Sequence, residues 1–180
     1  MSQSRGPMGS MSEATRLHPD RLLEILGLSW KYLEGKDVLD IGASRSTLAH
    51  EASMRGIRMT PIDKRKSQFA RSYESLVIGD ADNLPFKDGA FDIAICTYGP
   101  LTFADEHIDI LKRRLEEAYR VVRVGGEVRT APWKESTQIE TINISRIFSE
   151  LQKSFPALEM HRSTASTKRF DRYYFKLPKN

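Results

Sequence analysis

The chain has a single cysteine, Cys96, so no internal disulfide can form and stability must come from a packed core. That usage suits a reducing compartment, and the expected localisation is cytoplasmic. No apolar run approaches the roughly 20 residues that a membrane-spanning helix needs, so no membrane partner is expected. The N-terminus lacks the charged-then-apolar pattern of a secretory signal. His, Cys and carboxylate residues do not recur at metal-ligand spacing, so no metal is expected. There is no internal repeat and no break that marks a second domain. What is present is 180 residues, enough for one domain with a real core. At 39% hydrophobic and 29% charged residues, the composition is that of an ordinary globular protein. Met1–Ser12 is rich in Ser, Gly and Met without periodicity and reads as a disordered leader, with residues 13–180 forming one domain.

The net charge of +4 is unevenly spread. His161–Asn180 carries six Lys or Arg against the single acid Asp171, and the rest of the chain is close to neutral. Such an end fits nucleic acid or an acidic partner. It equally fits a solvated sheet edge where lysines discourage strand pairing, which is the commoner meaning of such a run.

Hydrophobic periodicity then divides the chain. Leu22, Leu23, Ile25, Leu26 and Leu28 predict a helix over Asp20–Leu28 that covers the domain edge or the mouth of a site. Short apolar runs predict strands at Asp37–Ile41, Ile57–Ile62, Leu76–Ile78, Phe91–Cys96 and Glu127–Ala131. Helices are predicted at Thr47–Arg55, Lys66–Ser72, His107–Val122 and Ile139–Phe155. In the third of these, Ile108, Leu111, Leu115, Ala118, Tyr119 and Val122 draw one apolar stripe. Gly125-Gly126 reads as a turn, and Leu158–Arg162 and Arg172–Phe175 as two final strands. The alternation predicts an α/β fold: a Rossmann-like, doubly wound sheet, mostly parallel, with helices on both faces and an antiparallel last strand.

In such sheets ligands bind beyond the carboxyl ends of the strands, where the strand order reverses. The residues that follow the strands are therefore the candidates. After the first come Asp40, Gly42, Ser44 and Ser46; after the second, Asp63; after the third, Asp80, Ala81 and Asp82; after the fourth, Thr97 and Tyr98. Gly42 and Asp63 are 21 positions apart, the gap between a nucleotide-loop glycine and an acid that holds ribose hydroxyls. A dinucleotide is disfavoured, because the loop is not G-x-G-x-x-G and Asp40 would repel a pyrophosphate. An acid there suits a cationic ligand end better.

Three segments in order carry a more specific signal. VLDIGASRSTLA from Val38 resembles motif I of class I S-adenosylmethionine (SAM)-dependent methyltransferases. GDADNLPFKDGAFDIAIC from Gly79 resembles the adenine-binding turn and fourth strand of the branch acting on small molecules such as quinone precursors. LEEAYRVVRVGGEV from Leu115 resembles the L-x-E-x-x-R-V-L-K-P-G-G stretch of that branch. The resemblance implies SAM as cofactor and methyl transfer to a small-molecule acceptor, the alternatives being a methyltransferase-like binding or partner module without catalysis and an RNA-directed methyltransferase. It places Asp40 and Gly42 near the methionine part of SAM, Asp63 on the ribose and Asp80 at the adenine amino group. Ala81 and Asp82 then lie beside the ring and Thr97 lines the methyl-transfer face. Each acid also has a plainer use: Asp80 as a turn residue, Asp63 as a helix cap.

Ser44 and Ser46 stand where the family has its second and third glycines. A serine held in the left-handed region costs roughly 1–2 kcal/mol, about a tenfold loss in affinity. Their hydroxyls, with Arg45, are candidates to bond the carboxylate of SAM, or one of them simply caps the helix from Thr47. Methyl transfer is an in-line displacement that chiefly needs alignment and dryness. Candidate catalytic groups are Tyr98, as an orienting residue, and His107 as a base, with Asp105 and Glu106 beside it. Thr97-Tyr98-Gly99-Pro100 is not the D/N-P-P-Y/F sequence that grips an exocyclic base amine. So short a chain leaves little room for a substrate-binding insertion. The site is then either open or completed by the N-terminal helix or by the second subunit of a homodimer.

Overall fold

The computed structural model describes residues 17–43, 47–65, 75–101, 108–134, 144–165 and 172–180. Seven strands form one sheet: β1 Asp37–Ile41, β2 Arg58–Asp63, β3 Val77–Ile78, β4 Phe91–Thr97, β5 Val122–Lys134, β6 Glu159–Arg162 and β7 Arg172–Pro178. Their order is β3-β2-β1-β4-β5-β7-β6. The pairs among β1 to β5 are parallel, whereas β7 runs antiparallel to both β5 and β6. The helices are α1 Pro19–Ile25, α2 Trp30–Leu33, α3 Thr47–Met54, α4 Ile108–Val121 and α5 Ile144–Ser154. This is the Rossmann-like architecture that the alternation of patterns predicts, with two antiparallel pairings at the C-terminal side rather than one.

Period-two alternation sends side chains to two cores. Leu39, Ile41, Ala94 and Cys96 face α4 and α5, packing with Leu111, Leu115, Ala118 and Leu151. Val38, Ile93 and Ile95 face the other way, packing with Leu22, Leu23, Ile25 and Leu33 of α1 and α2 and with Leu48 and Ala52 of α3. Strands buried on both faces read as unbroken apolar runs, which is why DVLDI and FDIAIC are so plain in the sequence.

The departures have local causes. The helix expected over Asp20–Leu28 ends at Ile25, because Gly27 takes φ +65° and turns the chain into the separate short helix α2, capped by Ser29. Gly125 and Gly126 do not end a strand: they form a bulge within β5, where the register jumps from Phe91↔Val122 to Ile93↔Glu127. The Gly125 N–H donates to the Lys179 carbonyl (2.7 Å), and the Lys179 N–H returns to the Gly126 carbonyl (2.9 Å). The basic C-terminal end is an edge only in part: Arg162 lies on the edge strand β6, whereas Arg172 and Lys176 lie on β7. β7 lies inside the sheet, and Lys179 Nζ donates to the Tyr119 carbonyl at the end of α4, 2.9 Å away. The helix expected at Lys66–Ser72 lies outside the described residues, as do Lys168 and Arg169.

Arg129 joins α1 to the sheet. Its Nη1 donates to the carbonyls of Leu26 (3.0 Å) and Gly27 (2.8 Å), the C-terminal end of α1. Its Nε donates to Glu127 Oε1 at 2.8 Å, and the Tyr32 hydroxyl donates to the same oxygen at 2.9 Å. The guanidinium also lies 5.4 Å from the ring centres of Tyr32 and Tyr174. A Cβ on Gly27 would fall 2.6 Å from Cζ and the hydroxyl oxygen of Tyr174. Gly27→Ala therefore combines a left-handed backbone with a displaced ring, and should lower stability by about 2–4 kcal/mol in chemical denaturation. A loss below about 0.5 kcal/mol would mean that this junction is not tightly packed.

Candidate active site

β1 and β4 are neighbours, but their onward connections go to opposite ends of the sheet, so a crevice opens at their carboxyl ends. Two glycines let the loops there touch. Gly42 has φ +77°, and a Cβ on it would fall 2.5 Å from Pro100 Cδ and 3.2 Å from Gly99 Cα. A Cβ on Gly99 would fall 2.7 Å from Cys96 Sγ and 3.0 Å from the Ile41 carbonyl oxygen. Any larger residue at either position separates the loops. The N–H groups of Gly42 and Ala43 both donate to the Ile62 carbonyl, at 2.8 and 3.1 Å, which ties the first loop to the end of β2.

Around this junction lies a cleft of about 130 Å³, lined among others by Gly42, Asp63, Asp80 and Ala81. Four of the residues proposed from sequence are thus brought together. Asp40 sits beside it and is 4% exposed. Burial, and then the like charge of Asp63, push its carboxyl up to about 7. Asp82 stands one step back, and Thr97 ends β4, paired in register with Ala131. Tyr98 does not line the cleft. It holds φ +51°, its N–H donates to the Ala131 carbonyl at 2.9 Å, and its ring packs against the α1–α3 core. Ser44, Ser46, Asp105, Glu106 and His107 lie outside the described residues.

The plainer use of Asp80 as a turn residue is also present, whereas the helix that Asp63 would cap lies outside the described residues. Asp80 Oδ1 accepts the Asp82 N–H (3.1 Å), and Asp63 Oδ1 accepts the Arg65 N–H (3.0 Å). Lys64 Nζ sits 2.7 Å from Asp80 Oδ2, and this cation, with the Asp82 N–H, holds the Asp80 carboxyl below the usual carboxylate range. The Lys64 side chain is 70% exposed, so that pair adds little to stability.

Three lining residues carry no chemical signal in the sequence: Lys64, Pro100 and Arg114. Arg114, beside the apolar stripe of α4, donates from Nε to Asp82 Oδ1 (2.7 Å) and from Nη1 to the Pro100 carbonyl (3.1 Å). It therefore bolts the loop after β3 to the loop after β4. Glu117 and Arg120 of α4 do similar work below the cleft. Glu117 accepts the Leu84 N–H (2.8 Å), and Arg120 donates to the carbonyls of Leu84 (3.0 Å) and Phe86 (2.8 Å).

A family model described as "Methyltransferase domain" matches residues 39–130, from β1 into β5. The chain belongs to that family. It is 31% identical over 130 residues to a phthiotriol/phenolphthiotriol dimycocerosates methyltransferase of Mycobacterium leprae, covering 67% of this chain and 46% of that protein. It is 31% identical over 104 residues to a demethylmenaquinone methyltransferase of Thermobifida fusca, covering 52% of this chain and 42% of that protein. The chain thus spans less than half the length of these relatives. In three dimensions it resembles the [4+2]-cyclase SpnF with a TM-score of 0.66 at 14% identity, over 89% of this chain and 81% of that one.

Arg114→Met should speed hydrogen exchange at the amides of Asp82, Gly99 and Leu101 by about tenfold, or ~1.4 kcal/mol, while β1 and β4 stay protected. Unchanged exchange in both loops would show that the guanidinium does not hold them.

Proposed function

We propose that this chain binds SAM in the cleft and transfers the methyl group in line to a small-molecule acceptor. The observation that carries the reading is the placement of Gly42, Asp63 and Asp80 at three successive strand ends around one switch-point cleft, with Asp40 buried beside it. The donor set fits the cofactor. A carboxylate held in low dielectric at the end of β1 favours a cationic ligand end and disfavours a phosphate. The identities to two methyltransferases in the amino-acid sequence support the same chemistry.

The bound cofactor supplies an electrophilic methyl on a sulfonium centre. Asp40 and Gly42 would hold its amino-acid end, with the Ser44 and Ser46 hydroxyls as further candidates for its carboxylate. Asp63 accepts from the ribose hydroxyls, a charge-assisted bond and thus a strong one. Asp80, now paired with the exposed Lys64, would accept from the adenine amino group, and the Ala81 and Asp82 backbone would border the ring. Thr97 lines the face where transfer occurs, Tyr98 orients the loop beyond it, and His107 takes the acceptor proton where there is one. The names of the relatives, a demethylmenaquinone methyltransferase and a phthiotriol/phenolphthiotriol dimycocerosates methyltransferase, support an acceptor other than a protein or a nucleic acid.

The buried carboxyl gives the reading a pH signature. A cation brought beside Asp40 lowers its pKa, so binding releases a proton and weakens as pH falls below about 7. Calorimetric titration with S-adenosylhomocysteine should show affinity about tenfold weaker near pH 6 than near pH 8. Asp63→Ala should weaken binding by at least about tenfold at both values. Absence of binding at millimolar ligand, or an unaffected Asp63→Ala protein, would contradict the assignment.

A further inference from the structure

The pairing of β2 with β3 sets a cation beside the acid assigned to the adenine ring. The two strands run parallel with Asp63 opposite Ile78, and the Gly79 N–H donates to the Asp63 carbonyl at 3.0 Å. Lys64 follows Asp63 and is thereby placed next to Gly79 and Asp80, and all three line the cleft. Both oxygens of the Asp80 carboxylate are engaged. Oδ1 accepts the Asp82 N–H at 3.1 Å, and Oδ2 lies 2.7 Å from Lys64 Nζ.

The two contacts differ in kind. The Asp82 amide belongs to the turn that carries Asp80, closed by the Asn83 N–H on the Asp80 carbonyl at 3.1 Å, so it stays where the backbone puts it. The Lys64 side chain is mostly exposed, on a flexible stem. An exposed pair of this sort is weak and screened by salt, and a well-hydrated ammonium leaves it without strain. Arg114, which also lines the cleft, has no such freedom: Asp82 and the Pro100 carbonyl hold it at 2.7 and 3.1 Å. Lys64 is therefore the cation able to occupy or vacate Asp80. While it is there, it offsets the charge that makes the carboxylate a strong acceptor for a neutral N–H donor.

We propose that Lys64 is a specificity-determining residue: its ammonium competes with the 6-amino group of adenine for Asp80 Oδ2, and so limits how strongly the cleft distinguishes adenine from a purine that lacks this group. The inference rests on the cofactor reading above, with adenine at Asp80. Adenosine and purine riboside provide the test, since both are uncharged and differ only in the 6-amino group. Their affinities for the wild-type protein and for Lys64→Met are measured by ¹⁵N chemical-shift titration, with S-adenosylhomocysteine alongside. Lys64→Met should bind adenosine about threefold more tightly than the wild type and purine riboside equally well, with shifts at Gly79, Asp80 and Asp82. The gain for adenosine should vanish in about 0.5 M salt, which screens the exposed pair in the wild type. Lys64→Arg, which keeps the cation, should show no gain. Equal gains for both nucleosides, or adenosine bound no more tightly by Lys64→Met while S-adenosylhomocysteine still binds at the cleft, would overturn the inference and leave the cofactor reading standing. Failure of all three ligands to shift the cleft residues would overturn that reading, and this inference with it.

Discussion

Backbone contact between Gly42 and Gly99 is the constraint on which the candidate site depends. β1 and β4 are adjacent and parallel, so the loops leaving them must cross at the same end of the sheet within one strand spacing. Without side chains at Gly42 and Gly99 the crossing is close, and the Pro100 ring and the Ile41 carbonyl fill what remains. Everything that lines the cleft is placed relative to this point. Gly42 and Ala43 bond back to Ile62, which sets Asp63; β3 pairs with β2 at Ile62 and Asp63, which sets Asp80. Asp40 is buried within β1, between Pro61 of β2 and Ile95 of β4.

Three arginines then wire the loops to the frame. Arg114 spans the loops after β3 and β4, Arg120 holds the turn at Leu84 and Phe86, and Arg129 holds the end of α1. Each spends part of its fork on backbone carbonyls that no strand or helix satisfies. A planar group with five donors can do this, whereas a lysine cannot meet two fixed carbonyls and a carboxylate together. The consequence is a set of loops ordered by side-chain hydrogen bonds, around a sheet ordered by its own ladder.

What the sequence discloses and what it hides divide along the same line. β1 is legible to the residue, because a strand buried on both faces leaves an unbroken apolar run. α4 is legible because one stripe faces one core. The cleft acids Asp63 and Asp80 are legible because topology places them at or just after strand ends. The end of α1 is not, since the conformation of Gly27 answers to a tyrosine near the other terminus. Nor is the place of β7: its pattern predicts a strand but not which neighbours it slips between. Arg114 and Lys64 are hidden for a different reason. A charged residue beside an apolar stripe, or after a strand, looks the same whether it is solvated or bolts two loops together.

The central claim is that the switch-point cleft holds a SAM-type ligand with its ribose on Asp63. A crystal structure with S-adenosylhomocysteine tests it most directly. The account predicts density between the Gly42 loop and Asp80, both ribose hydroxyls on the Asp63 carboxylate, and Lys64 turned away from Asp80. Ligand density away from this cleft, or an Asp63 carboxylate that makes no contact with the ribose, would contradict it.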